Sequence, residues 1–314
     1  MPRDRLFGLA RLVVGLLVLI AIGVALQQNW GMVSTELRRM GWGAVAASFG
    51  LALLSPLLTL VGWRVLLLDL GARLPWPASA SVFFVGQLGK YLPGSVWTVA
   101  IQADMGGRLG VSRRTLGVAG LLNMGLAALT GALVGIPALP MLLRRADEGA
   151  VSPWWLLMAV VLGVVLLWPR LLNALIARGL KMLRREPLEH DLGGRALAAT
   201  VVFFLLAWLS MGAASWVLAA ALAPDADPGR LAVTAVTGYC LAAAAGMFAV
   251  LVPAGVGVRD GLLALLLVAF MPVGAATAVV VVHRFLTVVV DLVVAAAALL
   301  WGRAHHLLGA RPVR

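Results

Sequence analysis

The stretch GQLGKYLPGSVW, residues 86–97, interrupts a chain that otherwise reads as apolar helix. It gathers Gln87, Lys90, Tyr91, Pro93 and the glycines Gly86, Gly89 and Gly94. Proline removes a backbone donor and glycine loosens a helix. Such backbone is tolerated at membrane depth only where protein or water covers it. Whether this stretch lies inside a membrane therefore decides the fold.

The composition answers that question. The chain has 314 residues, of which 62% are hydrophobic and 12% charged, with a mean hydropathy of +1.01. A soluble domain has about 25% charged residues. The reading is an all-α polytopic integral membrane protein, organised as a single transmembrane domain over 1–314. The net charge of +12 comes from basic residues flanking apolar spans, as the positive-inside rule requires. They also suit anionic lipid headgroups. No polar face is large enough to read a duplex, so a nucleic-acid partner is not expected. Membrane lipids are.

A crossing helix needs about 20 apolar residues. Six stretches meet that need: roughly 6–26, 43–68, 115–143, 153–176, 196–223 and 274–301. Two more regions, 78–112 and 231–272, are apolar but broken. The first breaks at Pro93-Gly94, the second at Pro253, Gly255 and Gly257. Six crossings result if both broken regions dip in and return. Eight result if 231–252 crosses and 260–272 crosses back. In the six-crossing scheme the dips enter from opposite faces, an inverted repeat of the kind transporters use.

The link 177–195 and the end of the preceding span are rich in Arg and Lys, whereas 224–230 carries Asp225 and Asp227. That puts 177–195 and both basic termini in the cytoplasm. Arg38 and Arg39 lie on the other side of this scheme. The expected location is the bacterial plasma membrane. The N-terminal run shows no small-residue cleavage pattern and reads as a retained helix.

Intramembrane charges mark function. Lys90 flanks one break, and Arg259-Asp260 the other. Lys90 either contacts a phosphate beside the break or snorkels to the interface. Gln87 and Tyr91 share its pocket or cap it. Arg284 and His283 sit about ten residues inside the last span. An Arg there costs at least ~2.5–3.5 kcal/mol at the membrane centre and needs an interior partner. Asp291, two turns on along the same face, and Asp260 are the candidates. His283 is an interior histidine or a proton relay. Asp104 and Arg108 read as a local pair. Gly106-x-x-x-Gly110 and Gly131-x-x-x-Gly135 permit close helix contact, and Asn123 an interhelical hydrogen bond.

Other chemistry is not signalled. There is no Walker A, HExxH or GxSxG, and GVGVRDG follows no strand. Cys240 stands alone, and His305-His306 lie in a basic tail without further ligands. No cofactor or metal is expected, and transport is favoured over catalysis.

Two motifs, GKYLPGSVW (89–97) and PAGVGVRDGLL (253–263), resemble the signature segments of the membrane region of lysylphosphatidylglycerol synthases. HRFLTVVVD (283–291) resembles that family's arginine-bearing final helix. Asp260 stands where the family usually has Glu, and Asn123-Met124 where a Glu-Arg pair is frequent. The resemblance covers essentially the whole chain in span order and implies a stand-alone flippase-like region without the synthase domain. It implies translocation of an anionic lipid, either a polyprenyl-phosphate-linked sugar or an aminoacylated phosphatidylglycerol. The substrate-binding residues would be Gln87, Lys90, Tyr91, Arg259, Asp260, His283, Arg284 and Asp291. Pro93, Gly94, Pro253, Gly255 and Gly257 would be hinges. The rival readings are an enzyme acting on lipid headgroups and a membrane scaffold for a cell-envelope biosynthetic enzyme.

Overall fold

The computed structural model describes residues 30–92, 96–145, 153–248 and 257–305. The first predicted span and the hinge residues Pro93, Gly94, Pro253 and Gly255 lie outside the described residues.

The described elements are helical. Helix α1 (Trp30–Asp69) consists of two pieces joined at Gly41, where φ 74° and ψ 148° suit glycine alone. Helices α2 (Trp76–Gln87) and α3 (Trp97–Arg108) follow, with a 3-10 turn, Leu88–Tyr91, after α2. Then come α4 (Arg113–Gly135), α5 (Leu139–Arg145), α6 (Pro153–Leu166), α7 (Pro169–Met182), α8 (Gly194–Leu222), α9 (Pro228–Phe248), α10 (Val258–Leu267) and α11 (Val273–Ala304). By length and composition, five helices qualify as membrane spans: those over 34–69, 113–143, 194–222, 228–247 and 273–304.

The first broken region is a hairpin. Its arms α2 and α3 pack together, and each has 12 residues, about 18 Å of helix. That is too short to cross a hydrocarbon core of about 30 Å. Gly89 makes the tight turn possible. A Cβ there would stand 2.6 Å from the backbone nitrogen of Thr98 on the opposite arm. Gly89→Val is therefore expected to force the arms apart and lower the melting temperature in detergent by several degrees. An unchanged melting curve would contradict this packing.

The second broken region is unequal. Helix α9 has 21 residues and reaches across the core, whereas α10 has ten and reaches about halfway. The expected matched pair of dips is thus one short hairpin and one long-armed hairpin. The reason lies in α9's small residues, Ala242 to Ala245 among them, which keep it helical although Thr, Tyr and Gly dilute its hydropathy.

The predicted span 153–176 is bent, and it makes a sixth candidate span if the two pieces count as one. Helices α6 and α7 meet at 66°. Proline at position 169 lacks the amide needed to continue α6. Helix α7 is amphipathic: Leu172, Ile176 and Leu180 pack on the core, while Arg178 and Lys181 face outward. This is the pattern of an interfacial helix. Asn173 closes it against the next loop by a pair of hydrogen bonds with Leu192.

The two hairpins enter from opposite ends of the bundle. At one end, Asp69 accepts from the Gly193 amide (2.6 Å) and Arg114 pairs with Glu186 (3.3 Å). The links before α2 and after α3 lie at this basic end. At the other end, Arg39, Leu222, Asp225, Phe270 and Pro272 line one shallow cleft. There Arg39 is paired with Glu36 at 3.0 Å.

Helix contacts use small residues, as they must where lipid tails are as apolar as the core. Gly131 lies against the Trp208 ring and Gly135 against the Leu241 backbone. The predicted small-residue motif at 131–135 thus seats α4 on α8 and α9. Asp104 and Arg108 form the expected local pair at 2.7 Å, joined by Arg113 at 3.2 Å. Two buried clusters form the core. One centres on Trp63, Phe83 and Phe204, the other on α8, α9 and α11 around Leu218, Tyr239 and Val279.

Candidate functional site

Between those clusters lies a cavity of about 310 Å³. Residues at the ends of both broken regions line it. Lys90 and Tyr91 come from the turn of the first hairpin, Met247 and Arg259 from the second, and Arg284 and Asp291 from α11. Gln87 lies one turn before Lys90 and also lines the wall. Six of the eight residues singled out as candidate lipid contacts therefore face one space.

The charges are arranged in pairs. Lys90 Nζ is 2.7 Å from Asp291 Oδ2. The Tyr91 hydroxyl donates to the same oxygen at 2.5 Å. Asp291 is 8% exposed, so these two donors replace the water its carboxylate gave up. Arg259 Nε donates to Asp260 Oδ1 at 3.3 Å. Asp260 is in the first turn of α10, where the positive end of the helix dipole favours a carboxylate. Arg259 and Arg284 line the same cavity.

The backbone at the second break explains how Arg259 is aimed. Gly257 has φ +88° and caps α10. A side chain there would be strained. The turn directs the first residues of α10 inward, and Arg259 reaches the Tyr239 ring at 5.9 Å.

Two open alternatives are narrowed. Asp291 lines the same cavity as Arg284, but its carboxylate is held by Lys90 and Tyr91. Seven residues of helix set Asp291 and Arg284 too far apart for direct contact. Lys90, for its part, points into the shared cavity and does not snorkel to the headgroups. His283 stands behind the wall. Its Nε2 lies 3.3 Å from the Met211 carbonyl, and its ring meets Tyr239 edge-on at 4.8 Å. Asp260 also stands back and acts on the cavity through Arg259.

Sequence reasoning missed Tyr239. The chain has two tyrosines, and both line the cavity. That scarcity was the signal. Trp208 extends the same wall and donates its indole N–H to the Ala127 carbonyl at 3.0 Å. Among the described residues no three His, Cys, Asp or Glu side chains gather as a metal site.

The family model for the lysylphosphatidylglycerol synthase TM region matches residues 8–295. The chain belongs to that family. As a lysylphosphatidylglycerol synthase TM-region protein it is an integral membrane protein with a membrane lipid-related role. No curated protein matches the chain. Both motifs that carried the resemblance lie at this cavity: GKYLPGSVW supplies Lys90 and Tyr91, and PAGVGVRDGLL supplies Arg259.

Proposed function

We propose that this protein moves an anionic lipid between leaflets. The headgroup passes through the central cavity while the acyl or prenyl chains stay in the bilayer. One observation carries this reading: Lys90, Arg259 and Arg284 converge on a single cavity from two hairpins and a spanning helix. Cations at membrane depth are costly and are kept where an anion uses them. Hairpins that enter from opposite ends are a common plan in transporters, which supports this reading. The headgroup classes consistent with the family are a polyprenyl-linked sugar phosphate and an aminoacylated phosphatidylglycerol.

The test is reconstitution of the purified protein in vesicles carrying labelled lipids. Protein-dependent exchange between leaflets is expected for at least one anionic or prenyl lipid. Exchange of none would overturn the reading. Chemical turnover of a lipid in the same vesicles would point instead to an enzyme.

A further inference from the structure

We infer that α7 and the turn after it form a docking strip for anionic lipids of the cytoplasmic leaflet, held by the phosphates of several headgroups at once. No residue of α7 lines the central cavity, and the inference stands apart from the lipid-transport reading.

The first observation is how α7 divides its circumference. Successive residues of an α-helix stand about 100° apart. Leu172, Ile176 and Leu180 form one arc, packed on the core. Leu171, Leu175 and Met182 form the next, with Leu175 50% and Met182 80% exposed. Arg170, Arg178 and Lys181 form the third, and all three are exposed. A helix with one face on protein, an open apolar flank and a basic edge fits the membrane interface. The flank enters the acyl boundary and the edge meets the headgroups. Trp168, 60% exposed at the bend before α7, suits the same level, where aromatic rings anchor helices. Three cations on 14 residues are too costly for the hydrocarbon core itself.

The second observation is charge without a counterpart. From Pro153 to Arg185 the chain has no Asp or Glu. It has five cations there: Arg170, Arg178, Lys181, Arg184 and Arg185. None of the five takes part in an ion pair among the described residues. Glu186, the next residue, is paired with Arg114. The helix dipole favours Lys181 in the last turn but disfavours Arg170 in the first. An external anion accounts for Arg170 where the dipole does not. Arg184 has φ 53°, at a position past the helix end where glycine is usual. The chain carries an arginine there at a conformational cost. The open flank selects a lipid over a soluble anion. A lipid brings acyl chains to Leu175 and Met182 as well as phosphate to the basic edge, whereas a soluble anion leaves the flank in water.

The experiment places a fluorophore on that flank. Leu175→Cys is labelled with bimane in the full chain, after Cys240→Ala has removed the native thiol. The protein is reconstituted in phosphatidylcholine vesicles with a minor share of phosphatidylglycerol, one or the other lipid carrying bromine on its acyl chains. Quenching then reports which lipid stands beside α7. Near an anionic surface each Lys or Arg is worth about a five-fold preference. Brominated phosphatidylglycerol should therefore quench as though enriched at least about five-fold over its bulk share. The preference should fall as KCl rises from about 0.05 M to about 0.5 M, because salt screens exposed charges. Replacing Arg170, Arg178 and Lys181 together by Gln should abolish it while quenching by brominated phosphatidylcholine persists. The salt series tests the same point in the unaltered strip. Bimane at Leu162→Cys, on the uncharged α6 and 60% exposed, should show no such preference. Quenching by neither lipid would put the flank outside the bilayer and overturn the inference. Equal quenching by both, or the same preference at positions 162 and 175, would overturn it as well. Loss of the preference on adding inorganic phosphate at constant ionic strength would assign the strip to a soluble anion instead.

Discussion

Arg284→Ala should slow protein-dependent leaflet exchange by at least about ten-fold, the worth of one charge-assisted hydrogen bond to a phosphate. The side chain lines the cavity beside Arg259. A phosphate held by both guanidinium groups would form bonds roughly twice as strong as neutral ones. Alanine is the strongest helix former, so the helix that carries position 284 should persist. Exchange and melting temperature, measured on the same preparation, therefore separate a binding role from a structural one. Slower exchange with an intact melting curve is the expected outcome. Unchanged exchange in Arg284→Ala and in the corresponding Lys90 and Arg259 variants would favour a scaffold role.

Lys90→Met should destabilise the fold by about 2 kcal/mol. The figure discounts the ~3–5 kcal/mol typical of breaking a fully buried pair, because the Lys90 side chain is 39% exposed. The damage comes from what is left behind. Asp291 keeps the Tyr91 hydroxyl but loses its countercharge. A second substitution, Asp291→Leu, should restore most of the lost stability, because replacing both partners of an ion pair with apolar groups is often neutral. Thermal unfolding in detergent of the two single variants and the double variant completes the cycle. If the double variant is no more stable than Lys90→Met, the pair does not hold the hairpin turn against α11.

The parts of this architecture that were legible in the sequence share a property: their signal is local. Pro93-Gly94 and the Pro253–Gly257 run stand out because proline and glycine are rare punctuation inside apolar helix. Lys90, Arg259 and Arg284 stand out because each charge costs free energy where it lies. The bend between α6 and α7 has a local cause as well, but average hydropathy hides it. The strongly apolar run of α6 keeps the average over 153–176 high, although Arg178 and Lys181 occupy one face of α7. A periodicity count from Pro169 onward would have separated the two helices.

The partner of Asp291 was not legible. Tyr91 and Asp291 are 200 residues apart in the chain. Nothing near Asp291 indicates that its carboxylate faces the turn of the first hairpin, and helical spacing pointed to Arg284 instead. Only the packing of α11 along α2, where Ser81 donates to the Ala298 carbonyl at 2.7 Å, fixes which face of α11 that turn meets. The withdrawn position of His283 has the same origin. It depends on Met211 and Tyr239, residues of two other helices.

The short arms of the first hairpin also bear on how this protein experiences voltage. Arms of about 18 Å reach well into a hydrocarbon core of about 30 Å, and they end at a polar cavity. Moving one elementary charge through the full membrane potential is worth ~2.3 kcal/mol per 100 mV. A headgroup that reaches the cavity at the hairpin's tip has crossed part of that potential, so exchange of an anionic lipid should respond to an imposed potential and exchange of a neutral one should not.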